Sequence, residues 1–236
     1  LSIVRRFNLH VVGLHQHTGS DIKPEAAFEA AEKLFELAYD FPDLHYIDLG
    51  GGFKVSYREG DPVTDVAAFG AKMTAFFQNF CQRYGRNLEL WLEPGKFLVS
   101  EAGYLLVAVN VVKSSPNRTF VGVNSGLNHL IRPMMYEAYH DIVNLSNSSP
   151  TDLETYDVVG YICETDTFAV GRTISRVSKG DVLAFKNAGA YGFTMASNYN
   201  SRQRPAEVLV YGDKACLIRH RESLEDLMKN QVEIHL

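Results

Sequence analysis

The sequence predicts an α/β unit over residues 1–104 followed by a β-rich unit over residues 105–236. Three observations carry this. Before residue 104, short apolar runs alternate with stretches whose apolar residues recur at helical spacing, the pattern of a parallel sheet. After it, apolar runs follow one another with polar turns between them. Each of the three early runs also ends in residues suited to an anionic or ring-shaped ligand.

Taken in order, residues 9–14 are a short apolar run and read as a buried strand. Pro24 opens a helix, with Ala27, Ala30, Ala31, Leu34 and Ala38 on one face. Residues 46–49 form a second strand, stopped by Gly50, Gly51 and Gly52. Thr64 is placed to cap a second helix whose apolar face is Val66, Phe69, Met73, Phe76, Phe77 and Phe80. Residues 88–92 form a third strand, stopped by Glu93, Pro94 and Gly95. Beyond this, strands are expected at 104–112, 120–123, 157–163, 181–185, 207–211 and 215–219. Residues 144–151 form a polar turn, and a short helix at 223–229 closes the second unit. A complete eight-stranded α/β barrel takes about 250 residues. If the first unit is part of one, more than half of the barrel is expected upstream of Leu1.

Composition narrows the class. Apolar residues make up 46% and charged residues 22% of 236, an ordinary globular balance. The net charge of -5 disfavours a general nucleic-acid binder, because phosphate contacts need a basic face. No apolar run is long enough to span a membrane, and the first residues do not read as a signal peptide. Three scattered cysteines, Cys81, Cys163 and Cys216, form no disulfide framework, so a cytoplasmic location is expected.

The strand ends carry the chemistry. The first runs into H-Q-H-T-G-S (15–20), the second into D-L-G-G-G (48–52) and the third into E-P-G-K (93–96). Parallel strands place these ends on one side of a sheet, where ligands bind. Consecutive glycines let a ligand approach bare backbone N–H groups. Ser20 can donate a hydroxyl to a phosphate, and an imidazole can stack on a flat heteroaromatic ring. Glu93 can hold a ring nitrogen protonated. Singly, each is weak: the glycines also suit a tight turn, and His15 with His17 suits a metal pair or two satisfied polar residues. No third ligand is evident nearby in sequence, so no metal is expected. Val55 occupies the third glycine position of a dinucleotide fingerprint, and Phe97 follows Gly95-Lys96 where a P-loop needs Ser or Thr.

Two later segments also read as chemical. In Y-I-C-E-T-D (161–166), the Cys163 thiol can donate a proton, and the Glu164 or Asp166 carboxylate can hold an amine. The bland alternative is a buried cysteine followed by surface acids. In N-A-G-A-Y-G-F (187–193), small residues surround Tyr191, which is either a presented phenol or a core side chain. Arg132 can clamp a carboxylate bidentately or make a surface salt bridge.

The ordered set G-L-H-Q-H-T-G-S, D-L-G-G-G, L-E-P-G-K, H-L-I-R-P-M-M-Y, G-Y-I-C-E-T-D, N-A-G-A-Y-G and Y-N-S-R-Q-R-P-A-E-V-L-V resembles the diaminopimelate decarboxylases. These are pyridoxal 5'-phosphate (PLP) enzymes of the alanine-racemase-like fold. The resemblance runs from about residue 13 to 210. It implies the carboxy-terminal part of a PLP-binding (β/α)8 barrel followed by a β-sandwich- or barrel-like domain. It also implies roles. His17 stacks on the cofactor ring. Ser20 and the backbone of Gly50, Gly51 and Gly52 hold the phosphate, helped by the backbone at Pro94 and Gly95. Glu93 pairs with the pyridine nitrogen. Lys96, Arg132 and Tyr136 bind the distal carboxylate of an amino-acid substrate, and Glu164 binds its distal amine. Cys163 protonates the substrate carbon after carbon dioxide leaves, and Tyr191 touches cofactor and substrate.

The resemblance further implies a homodimer with a shared active site, into which Cys163 and Glu164 reach from the neighbouring subunit. The Schiff-base lysine is expected upstream of Leu1. The sequence departs from the family pattern in two places: Lys96 stands where Arg is usual, and Thr165-Asp166-Thr167 replaces Ser-Gly-Asp. The implied activity is decarboxylation of meso-diaminopimelate to L-lysine. The alternatives are a related basic-amino-acid or carboxynorspermidine decarboxylase, or a non-catalytic homologue that binds a partner enzyme. Two cations, Lys96 and Arg132, favour a substrate with a distal carboxylate.

Overall fold

In the computed structural model, which describes residues 1–20 and 23–234, the chain divides into two units, Leu1–Ser100 and Glu101–Leu236. The first begins with an unexpected short helix, α1 (Ser2–Arg6). Three strands follow, β1 (Gly13–His15), β2 (Tyr46–Asp48) and β3 (Glu89–Trp91), parallel and in that order across the sheet. Helices α2 (Pro24–Ala38) and α3 (Val66–Tyr84) make the crossovers.

The core of this unit lies between the helices and one sheet face. It joins Ala31, Leu34, Phe35 and Ala38 of α2 to Phe69, Met73, Phe77 and Phe80 of α3, over Ile47 and Leu49. Phe35 and Phe80 stack with centroids 4.4 Å apart. Fully burying each such ring contributes about 1.5–3 kcal/mol. Because side chains alternate along a strand, the rows Gly13–Tyr46–Glu89 and His15–Asp48–Trp91 share the face opposite Ile47. Tyr46 and Trp91 stack there at 3.9 Å. The Tyr46 ring leaves no space for a side chain at Gly13, where an added Cβ would lie 2.1 Å from it.

Several boundaries differ from expectation. The run 9–14 is strand only at its end, and Leu9 is exposed. Thr64 does not cap α3. Its hydroxyl accepts from Lys54 N–H at 2.8 Å, and Asp65 caps the helix instead, accepting from Ala68 N–H at 2.9 Å. A carboxylate is favoured there because it faces the helix's exposed N–H groups. Val66, in the first turn, is exposed rather than in the core. Gly85 ends α3 in the left-handed conformation (φ 85°).

A further short helix, α4 (Gly95–Val99), follows β3. The second unit is a six-stranded sheet. Its strands are β4 (Leu105–Ser114), β5 (Thr119–Val123), β6 (Ile142–Asn144), β7 (Leu153–Val159), β8 (Thr167–Ser175) and β9 (Val182–Phe185). Their order is β6-β9-β4-β5-β7-β8, antiparallel except for the parallel β5–β7 pair. The end strands β6 and β8 pack together, so the sheet curls into a nearly closed barrel. Val107, Val109, Val121, Val123, Tyr156, Val158, Leu183 and Phe185 fill it. The buried Tyr156 hydroxyl donates to Glu154 and accepts from Val177 N–H, both at 3.0 Å. A two-stranded hairpin, β10 (Glu207–Tyr211) with β11 (Lys214–Arg219), stands apart from that sheet. Between β5 and β6 comes α5 (Arg132–Tyr136), and α6 (Leu224–Met228) follows the hairpin behind a Ser223–Asp226 capping box.

The strand expected at 157–163 begins earlier and stops at Val159. Cys163 and Glu164 therefore lie in a turn beyond β7 rather than at its end. The expected polar turn at 144–151 starts one residue into structure, since Asn144 closes β6.

Candidate active site

The three strand ends of the first unit are tied abreast. Gln16 N–H donates to Asp48 O (3.0 Å), Leu49 N–H to Trp91 O (3.1 Å) and Glu93 N–H to Gly50 O (2.8 Å). The ladder thus continues past the strands and brings His15, His17, Gly50, Gly51 and Glu93 together. Gly50 has φ +69°, and an added Cβ would meet Gln16 O at 2.7 Å and His17 Nδ1 at 2.8 Å. At Gly51 it would lie 2.1 Å from Glu93 O. Backbone oxygens cannot move aside as a flexible side chain can, so both positions require glycine.

The amides of these glycines are partly engaged. Gly50 N–H donates to Asp48 Oδ1 at 2.8 Å, and Gly51 N–H donates to His17 Nδ1 at 3.3 Å. His17 Nδ1 is therefore an acceptor, and its imidazole lies against the glycine turn. Gly95 N–H donates to Glu93 O at 2.9 Å, which holds the Glu93-Pro94-Gly95 turn closed. Gly50, Gly51 and Gly52 line a pocket with Gln16, Thr18 and Leu49. Ser20 is exposed in segment 16–20. Lys96 sits in α4, its Nζ 5.8 Å from the centre of the Tyr57 ring.

His15 finds acidic neighbours that its sequence context did not reveal. Its Nε2 is 3.3 Å from Glu93 Oε2, and ligand atoms of His15, Asp48 and Glu93 all lie within 4.8 Å of one another. The third ligand that the sequence spacing did not show is therefore supplied by the fold. Asp48 Oδ1 accepts from Gly50 N–H, and Glu93 Oε2 pairs with His15 Nε2.

In the second unit, two further groups form. Cys163 S–H donates to Glu164 Oε2 at 3.2 Å, and Tyr199 O–H donates to Glu164 Oε1 at 2.7 Å. The Tyr199 bond, followed by that of Cys163, lowers the Glu164 pKa. The hydrogen bond to Glu164, then its charge, raises the Cys163 pKa. The pair is therefore an exposed neutral thiol beside a carboxylate, the state in which the thiol carries a proton to give.

Asp166 does something other than hold an amine. It is buried, and its carboxylate accepts from Leu127 N–H (2.7 Å) and Ile162 N–H (2.9 Å). Gly126 and Gly160 pack against it so closely that neither has room for a Cβ. Burial outweighs these bonds and raises its pKa. Asp166 thus pins the turn bearing Cys163 and Glu164, in which Thr165 takes φ +49°, a conformation a β-branched residue rarely adopts.

The other group centres on Arg132 at the start of α5. Its guanidinium carbon lies 6.0 Å from the centre of the Tyr191 ring, and its Nη1 lies 3.4 Å from His140 Nε2. Tyr191 itself is half-exposed, with φ +63°. A bulky residue held there costs of order 1–3 kcal/mol, and such strain concentrates at ligand sites. Tyr136 is exposed, one helical turn beyond Arg132. Tyr199 and His140 were not anticipated. Tyr199 lies 35 residues from Glu164 and His140 lies 8 from Arg132, across the end of α5, so no helical or strand spacing signals either.

Comparison with known proteins gives consistent matches. The family described as pyridoxal-dependent decarboxylase, C-terminal sheet domain, matches residues 37–189. The diaminopimelate decarboxylase of Methanothermobacter thermautotrophicus is 41% identical over 228 residues, covering 93% of this chain and 53% of that protein. A crystal structure of diaminopimelate decarboxylase superposes with TM-score 0.90 at 34% identity, covering 97% of this chain and 57% of the other. That of the Helicobacter pylori enzyme complexed with L-lysine gives TM-score 0.82 at 35% identity, covering 94% and 54%. The chain spans about half the length of the curated relatives it matches.

Proposed function

The chain belongs to the pyridoxal-dependent decarboxylases, and from that premise we propose that it is part of an enzyme releasing carbon dioxide from meso-diaminopimelate to give L-lysine. The observation that carries this reading is the meeting of His17, Gly50, Gly51 and Glu93 at three adjoining strand ends. These residues fit a phosphorylated pyridine. A glycine turn that excludes any Cβ leaves backbone within reach of a phosphate, and an imidazole and a carboxylate stand beside it. Ser20 and the backbone of Gly50, Gly51 and Gly52 would hold the phosphate, and the His17 imidazole, which lies against the glycine turn, would flank the ring.

When bound, PLP supplies an electron sink for the pair left on the substrate carbon. Glu93 holds a proton on the pyridine nitrogen by a charge-assisted hydrogen bond. Arg132, with Tyr136 and Lys96, binds the substrate's distal carboxylate. Lys96 does so as a point charge rather than a fork. Glu164, kept ionised by Tyr199, takes the distal amine. Cys163 delivers the proton on its Sγ to the substrate carbon. The enzyme works as a homodimer in which the exposed Cys163 and Glu164 serve the neighbouring subunit's site. The substrate assignment draws support from relatives named as diaminopimelate decarboxylases and from one structure complexed with L-lysine.

The test is carbon dioxide release by the PLP-loaded enzyme from meso-diaminopimelate, ornithine, arginine and carboxynorspermidine. Turnover of the first is expected. Turnover only of one of the others would refute the substrate, and a protein inert toward all four would support a non-catalytic, partner-binding role.

A further inference from the structure

His140 is buried just ahead of β6, where β6 pairs with β9. The same ladder continues outward, with Lys186 N–H donating to Asp141 O at 2.8 Å. This fixes Lys186 O beside the imidazole, 2.8 Å from His140 Nδ1. A carbonyl oxygen can only accept, so Nδ1 carries the hydrogen. In the neutral ring, Nε2 is then the accepting nitrogen, and it faces Nη1 of Arg132 at 3.4 Å. Burial, opposed by the Lys186 bond and aided by the charges of Arg132 and Arg172, lowers the His140 pKa to about 4. The ring is thus neutral at pH 7 and can accept from a guanidinium rather than repel it. Its own backbone is held in turn, since Arg172 donates to His140 O at 2.6 Å and lies over the Tyr139 ring at 3.7 Å.

We propose that His140 is the positioning residue for Arg132: tethered through Nδ1–H to Lys186 O, it presents Nε2 to one edge of the guanidinium and aims the other edge at the substrate's distal carboxylate. The inference rests on the reading of Arg132 as the carboxylate clamp, and it adds the group that holds the clamp. Arginine side chains are long and flexible, so a guanidinium fixed in advance loses less freedom on binding a carboxylate than a mobile one. Specificity for a substrate with a distal carboxylate then depends on a ring that never touches it.

The test compares His140→Phe and His140→Gln with the wild type in the PLP-loaded enzyme, after thermal unfolding confirms that each variant is folded. His140→Phe fills a similar space without an acceptor, whereas the glutamine carbonyl can still accept from Arg132. For His140→Phe, KM for meso-diaminopimelate is expected to rise about tenfold, equivalent to ~1.4 kcal/mol, with kcat within about twofold. L-lysine binding should weaken in parallel. Cadaverine, which has no carboxylate, should bind as before, and His140→Gln should recover most of the loss. An unchanged KM in folded His140→Phe, or equal losses for L-lysine and cadaverine in both variants, would overturn the proposal. If the wild type neither decarboxylates diaminopimelate nor binds L-lysine, the functional reading fails instead. Crystal structures then decide the positioning claim: Arg132 leaving its station in His140→Phe but not in His140→Gln supports it, and Arg132 unmoved in both refutes it.

Discussion

Gly51 has no room for even a methyl group, because the carbonyl of Glu93 stands where a Cβ would go. That contact joins two motifs 42 residues apart in the chain, and neither half of the sequence predicts it alone. The glycine run, His17 and Glu93 were nevertheless legible, because each follows an apolar strand and parallel strands put such ends on one side. The partners of Glu164 and Arg132 were not, since Tyr199 and His140 reach them only through the fold. Asp166 was legible as an acid but not as a buried one. Its two backbone donors, Leu127 and Ile162, come from separate loops. Tyr199 gives a prediction at this scale. Its bond lowers the Glu164 pKa, so Glu164 stays charged to lower pH than an isolated carboxylate would. Tyr199→Phe removes that bond and raises the Glu164 pKa toward its ordinary value. The acidic limb of the kcat/KM profile should therefore move to higher pH, with a several-fold rise in KM at the acid end. An unmoved profile would show that Glu164 is held by something else.

At the scale of elements, α2 and α3 were readable from their apolar periodicity because each buries one long stripe against the sheet. Five elements were not: α1, α4, α5, β6 and β8. Four of them are too short to show a period, and β8 is interrupted by Gly171-Arg172, which breaks its apolar alternation. Gly171 takes φ +60°, and its N–H donates to Asp157 at 2.7 Å, so tertiary pairing with β7 rather than local pattern makes that strand. The cap at Asp65 displaced Thr64 for a similar reason: the threonine hydroxyl is used by the loop at Lys54. Phe80 tests the account of α3. It is fully buried and lies against Phe35, Phe77 and Tyr84, so Phe80→Ala should cost about 3–5 kcal/mol. Urea unfolding followed by circular dichroism measures this, and a loss below about 1 kcal/mol would mean that the helix packs differently.

At the scale of the whole molecule, the chain has a net charge of -5, and among its described residues no helix is long and apolar enough to cross a membrane. All three cysteines are free. The two units carry different groups: His17, the glycine turn and Glu93 lie in the parallel-sheet unit, and Arg132, Tyr191, Cys163 and Glu164 lie in the barrel unit. A shared-site homodimer makes a prediction that a self-sufficient monomer does not. Glu93→Ala and Cys163→Ala are each expected to be nearly inactive as pure dimers. Mixed under conditions that exchange subunits, they should recover about a quarter of wild-type activity, because half of the dimers are mixed and each mixed dimer has one intact site. No recovery would place both residues in a site built within one subunit.

Whether three adjoining strand ends form one cofactor cradle is read directly from a crystal structure of the protein with PLP bound. The phosphate is expected at Ser20 and the glycine turn, the His17 imidazole against the ring, and a Glu93 carboxylate oxygen about 2.7–2.9 Å from the pyridine nitrogen. A ring bound elsewhere, or bound here with its nitrogen turned away from Glu93, would contradict it.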